Sequence, residues 1–229
     1  MALRRIEATL TTFAILGMLS GGADAATTFT VDPEAGNNAF TAVFDASLGE
    51  RITAVSSAIG CTLSIDEATL EGRASCSVPL ATIRVDNDDT KSDHFRQWAT
   101  NKKMAPEACK FEVEVPNVKL PSTMKEKTPT PFTADGTFVL CGRHRDDGKP
   151  ERITGTIAYL PPGSYGEART LRIRAHIESF NREKYGIAPK NTAGWLARVQ
   201  QLADVVGTEG TIEVSIFATS PAPAASDAK

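Results

Sequence analysis

The chain has 229 residues, of which 41% are hydrophobic and 23% charged, and its formal net charge is −3. This length suits one large domain or two small ones, and the composition is that of a globular protein, which excludes wholesale disorder. A slightly acidic chain is not a typical nucleic-acid binder. No apolar run reaches the ~18 residues of a membrane-spanning helix, so we expect neither a nucleic-acid partner nor a transmembrane segment.

The first 25 residues have the layout of a secretory signal peptide. Arg4 and Arg5 precede a mostly apolar stretch, residues 8–18, and an Ala-x-Ala sequence ends at Ala25. The charge, the apolar core and the small-residue cleavage site occur in the order that export requires. We therefore predict cleavage after Ala25 and a periplasmic or secreted protein, the alternative being a short amphipathic first helix of the domain.

The opposite end of the chain has a different composition. Residues 220–229 contain no large apolar side chain and are predicted to form a disordered tail. Between the two ends there is neither a linker nor an internal repeat, so residues 26–219 are predicted to form a single domain.

Within this domain, apolar and polar residues alternate with the period of two that is typical of half-buried β-strands. The alternating apolar sets are Phe29 and Val31; Phe40, Ala42 and Phe44; Cys61, Leu63 and Ile65; Cys76, Val78 and Leu80; Cys109, Phe111, Val113 and Val115; Leu171, Ile173, Ala175 and Ile177; and Ile212, Val214 and Ile216. Strands with one wet and one dry face favour antiparallel pairing, and turn-forming residues separate them at 34–38, 146–150 and 161–164. We predict an all-β domain. The pattern alone leaves open whether its strands close into a barrel or fold into two packed sheets.

Two short segments have helical rather than strand periodicity. Residues 92–100 place Phe95 and Trp98 three positions apart, and residues 192–206 place an apolar stripe on one face, with Gly207 as a plausible stop. These two helices are expected to decorate the β domain.

Catalytic motifs are absent from the sequence. The three histidines, His94, His144 and His176, are far apart in the chain, and there is neither a zinc-binding spacing nor a nucleophile elbow nor a phosphate loop. His94 follows Asp93, but adjacent residues on a helix point apart, so a role in helix anchoring or at a pocket rim is favoured over a catalytic pair. We expect a protein that is not an enzyme and needs no cofactor or metal.

Four segments, in order, resemble the YceI-like, lipocalin-like periplasmic proteins that bind polyisoprenoids. Thr-Phe-Thr-Val-Asp-Pro at 28–33 is similar to the opening strand of that family, and Lys-Ser-Asp-His-Phe-Arg at 91–96 to its helix start. Asn-Arg-Glu-Lys-Tyr-Gly-Ile at 181–187 is the most specific match, and 206–214 resembles the closing strand. The resemblance spans nearly all of the predicted domain.

This resemblance implies an antiparallel barrel of about eight strands with a long apolar interior that holds a polyisoprenoid or quinone-like lipid, as a carrier or sequestering protein. The side chains then expected to contact the ligand are Phe40, Phe44, Phe111, Val113, Phe138, Leu171, Ile173 and Ile212 inside the barrel, with Phe95, Trp98 and Trp195 at its mouth. The alternative is that the same residues pack a filled core, in a secreted stress or assembly module without a small-molecule ligand. The sequence leaves the oligomeric state open, a homodimer included.

The cysteines are predicted to form two disulfides. Cys61 and Cys76 lie symmetrically about a turn at residues 66–71, so they should oppose each other in an antiparallel hairpin, within reach of a disulfide. Cys109 and Cys141 lie symmetrically about a Pro-rich loop in the same way. Export would place both pairs in an oxidising compartment. The alternative is four reduced, buried cysteines.

Overall fold

A computed structural model describes residues 26–46, 49–101, 103–122, 124–161, 169–188 and 206–220. The predicted signal peptide therefore lies outside the described residues, as do the turn at 162–164, the helix at 192–205 and the tail from residue 221. The remaining part of that helix prediction is wrong, because Val206 and Gly207 belong to a β-strand.

The described chain is mostly β-strand. The strands are β1 (Thr27–Val31), β2 (Ala39–Ala46), β3 (Arg51–Ser56), β4 (Gly60–Asp66), β5 (Glu71–Pro79), β6 (Arg84–Val85), β7 (Lys110–Lys119), β8 (Thr130–Leu140), β9 (Arg143–His144), β10 (Glu151–Tyr159), β11 (Thr170–Asn181) and β12 (Val206–Thr219). One α-helix, α1 (Asp89–Ala99), and three short 3₁₀ turns (Leu80–Thr82, Pro106–Ala108 and Arg182–Tyr185) complete the described elements.

These strands close into an antiparallel barrel. β4, β5, β7, β8, β10, β11 and β12 pair in that order, and β12 returns to β1 through Thr30 and Thr219. β2 lies alongside the rest of β12 and pairs with β3. β1 continues into β2 and β3 continues into β4, and these two stretches pair with each other along the wall. With each stretch counted as one strand, the wall of the barrel has eight strands. The antiparallel barrel of about eight strands is thus confirmed.

Alternation along the strands decides what faces inward. On β11, for example, Leu171, Ile173 and Ile177 are buried, whereas Arg172 and Arg174 between them remain more accessible. Successive side chains of a strand point to opposite faces, so a polar outer wall encloses an apolar interior.

One end of the barrel is filled with side chains, and we call it the sealed end. Phe29, Leu171 and Ala218 are each 0% exposed there. The rings of Phe29 and Tyr159 lie 6.3 Å apart. Outside them, the Glu67 carboxylate accepts hydrogen bonds from the Tyr159 hydroxyl, at 2.6 Å, and from Arg169.

α1 lies at the opposite end, which we call the mouth. Its N-cap is Asp88, whose carboxylate accepts a hydrogen bond from the Lys91 amide at 2.9 Å. Ser92 and Ala99 form its buried face, and the Ser92 hydroxyl accepts a hydrogen bond from the Val85 amide. The helix begins three residues before its predicted start because the carboxylate of Asp88 satisfies one of the free amides of its first turn.

Both predicted disulfides are present. Cys61 and Cys76 are directly opposed in the β4–β5 hairpin, with their Cα atoms 4.1 Å apart, and the predicted turn lies between them. Cys109 and Cys141 close the β7–β8 pair, with a Cα separation of 4.5 Å.

Candidate functional site

The interior of the barrel contains an apolar cavity of about 160 Å³, which we call the inner cavity. β4, β5, β7, β8, β10, β11 and β12 all contribute to its wall, through side chains such as Leu63, Val113, Ile157 and Ile173. Four polar residues also border it, namely Arg73, Ser77, Glu112 and His176. By strand alternation these four belong to the outward face, so the side chains that point into the cavity are apolar.

Small residues create this space. Ala74, Ala134 and Ala175 line the cavity from three different strands. Gly155 pairs with Ala175 on one side and Phe132 on the other, and a Cβ atom there would collide with the Phe132 ring and a neighbouring carbonyl. Large side chains in place of the three alanines would fill the interior, so the alanines keep it open. Gly155 instead makes room for the Phe132 ring.

A second cavity, of about 230 Å³, lies between the barrel and α1, and we call it the outer cavity. The helix presents His94, Phe95 and Trp98 to it, together with Lys91 one turn earlier. Positions three and four apart lie on the same face of a helix, which is why these four residues meet the cavity together.

The two cavities adjoin each other. Phe40, Phe111, Phe138 and Ile212 line both. Phe111 and Phe138 point inward yet are only partly buried, as expected for side chains that border empty space. We refer to the two cavities together as the tunnel.

Nine of the eleven residues predicted to contact a ligand line this tunnel. They are Phe40, Phe44, Phe95, Trp98, Phe111, Val113, Phe138, Ile173 and Ile212. Leu171 lines neither cavity, because it lies at the sealed end, where it is packed to 0% exposure. Trp195 lies outside the described residues.

Several tunnel residues were not predicted from the sequence. Phe132 continues the period-two pattern of Phe138 along β8, so alternation could have found it. Phe180 could not be found this way, because the β11–β12 register shifts between Ile177 and Phe180 and breaks the alternation. Ile59 lies in the short break between β3 and β4, where no periodicity exists.

Charged side chains point into the outer cavity but not into the inner one. Lys91 donates a hydrogen bond to Asp86 at 2.8 Å, and this bond raises the pKa of the Lys91 ammonium. Arg182 donates to the carbonyls of Gly207, Ile187 and Val206 at 2.7–3.0 Å. Both cations of the outer cavity are therefore committed to protein partners.

The described part of the chain has neither a cluster of metal ligands nor a membrane-spanning helix. No three His, Cys, Asp or Glu side chains within it are grouped so as to hold a metal ion. None of its helices is long and apolar enough to cross a membrane.

Comparison with known proteins gives a match in structure but not in sequence. No protein-family model and no curated protein matches the chain. A solved structure does match: a polyisoprenoid-binding domain from Saccharophagus degradans, described as implicated in plant cell wall breakdown. The TM-score is 0.57 at 12% identity, over 86% of this chain and 99% of that one. The chain has the fold of that domain.

The family resemblance drawn from the four sequence segments is thus confirmed at the level of the fold. At 12% identity the side chains of the two proteins are mostly different. The two proteins share the lipocalin-like barrel, and in this chain the residues named above line its tunnel.

Proposed function

We propose that this protein binds a long apolar lipid, of the polyisoprenoid or quinone-like class, inside its tunnel and serves as an exported carrier or sequestering protein. The observation that carries the proposal is the unfilled interior with inward side chains that are apolar. The fold is shared with a domain described as polyisoprenoid-binding, which supports the same ligand class.

The energetics favour an apolar occupant over water. A dry cavity of ~150 Å³ lined by Leu, Ile and Phe is large enough to bind benzene, and each of the two adjoining cavities is at least as large. Each ligand methylene that leaves water contributes ~0.8 kcal/mol, so a chain that follows both cavities binds without any polar contact along its length. A binding role of this kind needs no catalytic group.

Export is supported by the two disulfides. Disulfides persist in oxidising compartments and are rare in the cytosol, and Cys109 and Cys141 are almost fully buried in the barrel. The layout of the first 25 residues favours the same compartment.

Native mass spectrometry of the protein purified from its host tests the ligand directly. We expect an additional mass that organic extraction releases as an apolar lipid. Ala175→Phe should abolish this lipid, because the ring would occupy the inner cavity, whereas Ala39→Phe, on the exposed start of β2, should retain it. A wild-type protein that carries no lipid and takes none up from vesicles would contradict the proposal.

A further inference from the structure

We infer that the ligand carries a single uncharged head group, which lies at the mouth and forms a hydrogen bond with His94, and that chains with a phosphate head group are disfavoured. This inference rests on the proposed function and adds the chemical class of the head group. It follows from three features of the tunnel: its sealed end, the pairing of its cations and the one imidazole at its mouth.

The sealed end fixes the direction in which a ligand lies. Phe29 and Leu171 fill the barrel there, and neither lines the tunnel. The outer cavity, in contrast, is bordered by Glu50 and Lys91, which are exposed to solvent. An apolar chain therefore enters tail first, and whatever polar group it carries stays beside α1.

The cations at the mouth do not form an anion site. Lys91 and Arg182 are the cationic residues that line the outer cavity in the described chain. The Lys91 ammonium forms an ion pair with Asp86, and the Arg182 guanidinium donates hydrogen bonds to three backbone carbonyls. A phosphate beside Lys91 would also meet the Asp86 carboxylate, whose negative charge opposes its binding.

The remaining charge at the mouth is negative. Glu50 lines the outer cavity, and its carboxylate forms neither a hydrogen bond nor an ion pair with any described residue. Its charge acts on the ammonium of Lys91 from a distance. An anionic head group beside α1 would meet this carboxylate, and like charges repel each other.

His94 is the polar group left for a ligand. It is partly buried and lines the outer cavity next to Phe95, and its imidazole forms no hydrogen bond or ion pair with any described residue. A neutral imidazole donates from one nitrogen and accepts at the other, which matches a hydroxyl, an amide or a carbonyl. A bound hydrocarbon would shield the imidazole from water without forming a hydrogen bond to it. A polar group that is desolvated without a hydrogen-bond partner lowers the affinity.

Three probes with one chain and different head groups test this inference: farnesol, farnesyl phosphate and the hydrocarbon farnesene. Binding to the delipidated full-length protein can be followed by tryptophan fluorescence, since Trp98 lines the tunnel. We expect farnesol to bind about fivefold more tightly than farnesene, because one net hydrogen bond is added. Farnesyl phosphate should bind at least tenfold more weakly than farnesol.

Single-residue variants test which side chains cause the differences in affinity among the three probes. His94→Leu should remove the preference for farnesol and keep the affinity for farnesene, which also reports that the barrel is folded. His144→Leu is the matched control, because His144 is exposed and lines neither cavity. Glu50→Gln should improve the binding of farnesyl phosphate relative to that of farnesol.

The outcomes separate the two proposals. Equal binding of the three probes, tighter binding of farnesyl phosphate, or a farnesol preference that persists in His94→Leu would overturn the head-group inference and leave the lipid-binding function intact. If none of the probes binds, the proposed function fails and the inference fails with it.

Discussion

Glu151 brings a carboxylate into the barrel wall, where its side chain is only 3% exposed. The Tyr185 hydroxyl and the Arg145 guanidinium each donate a hydrogen bond to it at 2.8 Å. A buried charge is tolerated only when it is paired and hydrogen bonded. Tyr185 is therefore a structural partner of Glu151, and its ring also stacks on Phe180 beside the outer cavity.

We expect Tyr185→Phe to lower the free energy of unfolding by ~1.5–3 kcal/mol, because the buried carboxylate loses a donor that water cannot replace. Tyr159→Phe is the matched comparison. Its hydroxyl bonds to Glu67, whose side chain is 40% exposed, so that loss should be below ~1 kcal/mol. Urea unfolding at pH 7 measures both values. Equal losses would contradict the importance of burial at Glu151.

The same two tyrosines predict how stability depends on alkaline pH. Burial, reinforced by the bond to a carboxylate, raises the pKa of Tyr185 and of Tyr159 above the usual value. Below pH ~10 both states keep the phenolic proton, and above it only the unfolded state releases the proton. Stability should therefore fall from pH ~10 upward, by ~1.4 kcal/mol per pH unit for each tyrosine. The fall should be less steep in Tyr185→Phe than in the wild type.

At the scale of elements, the most specific segment of the sequence resemblance has a structural role. The Asn181 side chain accepts hydrogen bonds from the Glu183 and Lys184 amides and starts a 3₁₀ turn. Gly186 then adopts a left-handed conformation, with φ 63°, that ends the turn. Arg182 ties this turn to the start of β12. The segment shapes one side of the mouth by fixing the strands around it.

The two disulfides should differ in their contribution to stability. The Cys109–Cys141 bridge closes 32 residues and the Cys61–Cys76 bridge 15. In the chain-entropy treatment this gives ~3.7 against ~3 kcal/mol. Replacing Cys109 and Cys141 by alanine should therefore lower the urea midpoint more than replacing Cys61 and Cys76. A larger loss for the shorter loop would show that local strain or packing outweighs chain entropy.

Over the whole molecule, the sequence predicts the individual strands better than the closure of the sheet into a barrel. Alternation is local, so the hairpin that pairs Cys61 with Cys76 could be predicted in register. The return of β12 to β1 depends on residues 189 positions apart, and no local pattern encodes it. The residues predicted to line the tunnel likewise include correct and incorrect cases. Phe111 and Phe138 follow from their strands, whereas Leu171 has the same pattern and lies at the sealed end, because depth along the barrel is invisible to alternation.

The export proposal can be tested at the N-terminus of the protein. If the first 25 residues direct secretion, the mature protein in its host begins at Ala26. Fractionation followed by N-terminal sequencing should find that end outside the cytoplasm. A cytoplasmic protein that begins at Met1 or Ala2 would contradict the export proposal, and lipid binding would then have to be explained in a reducing compartment.

The pairing of Thr30 with Thr219 has a practical consequence for handling this protein. It brings the start of β1 and the end of β12 to the same rim, the one that Phe29 and Leu171 fill. An affinity tag, a fluorescent protein or a surface linker joined directly to Ala26 or Ser220 would then be attached at the rim farthest from α1. Immobilised through either of these residues, the barrel should present its opening to the bulk solution, an orientation suited to measuring lipid exchange with vesicles.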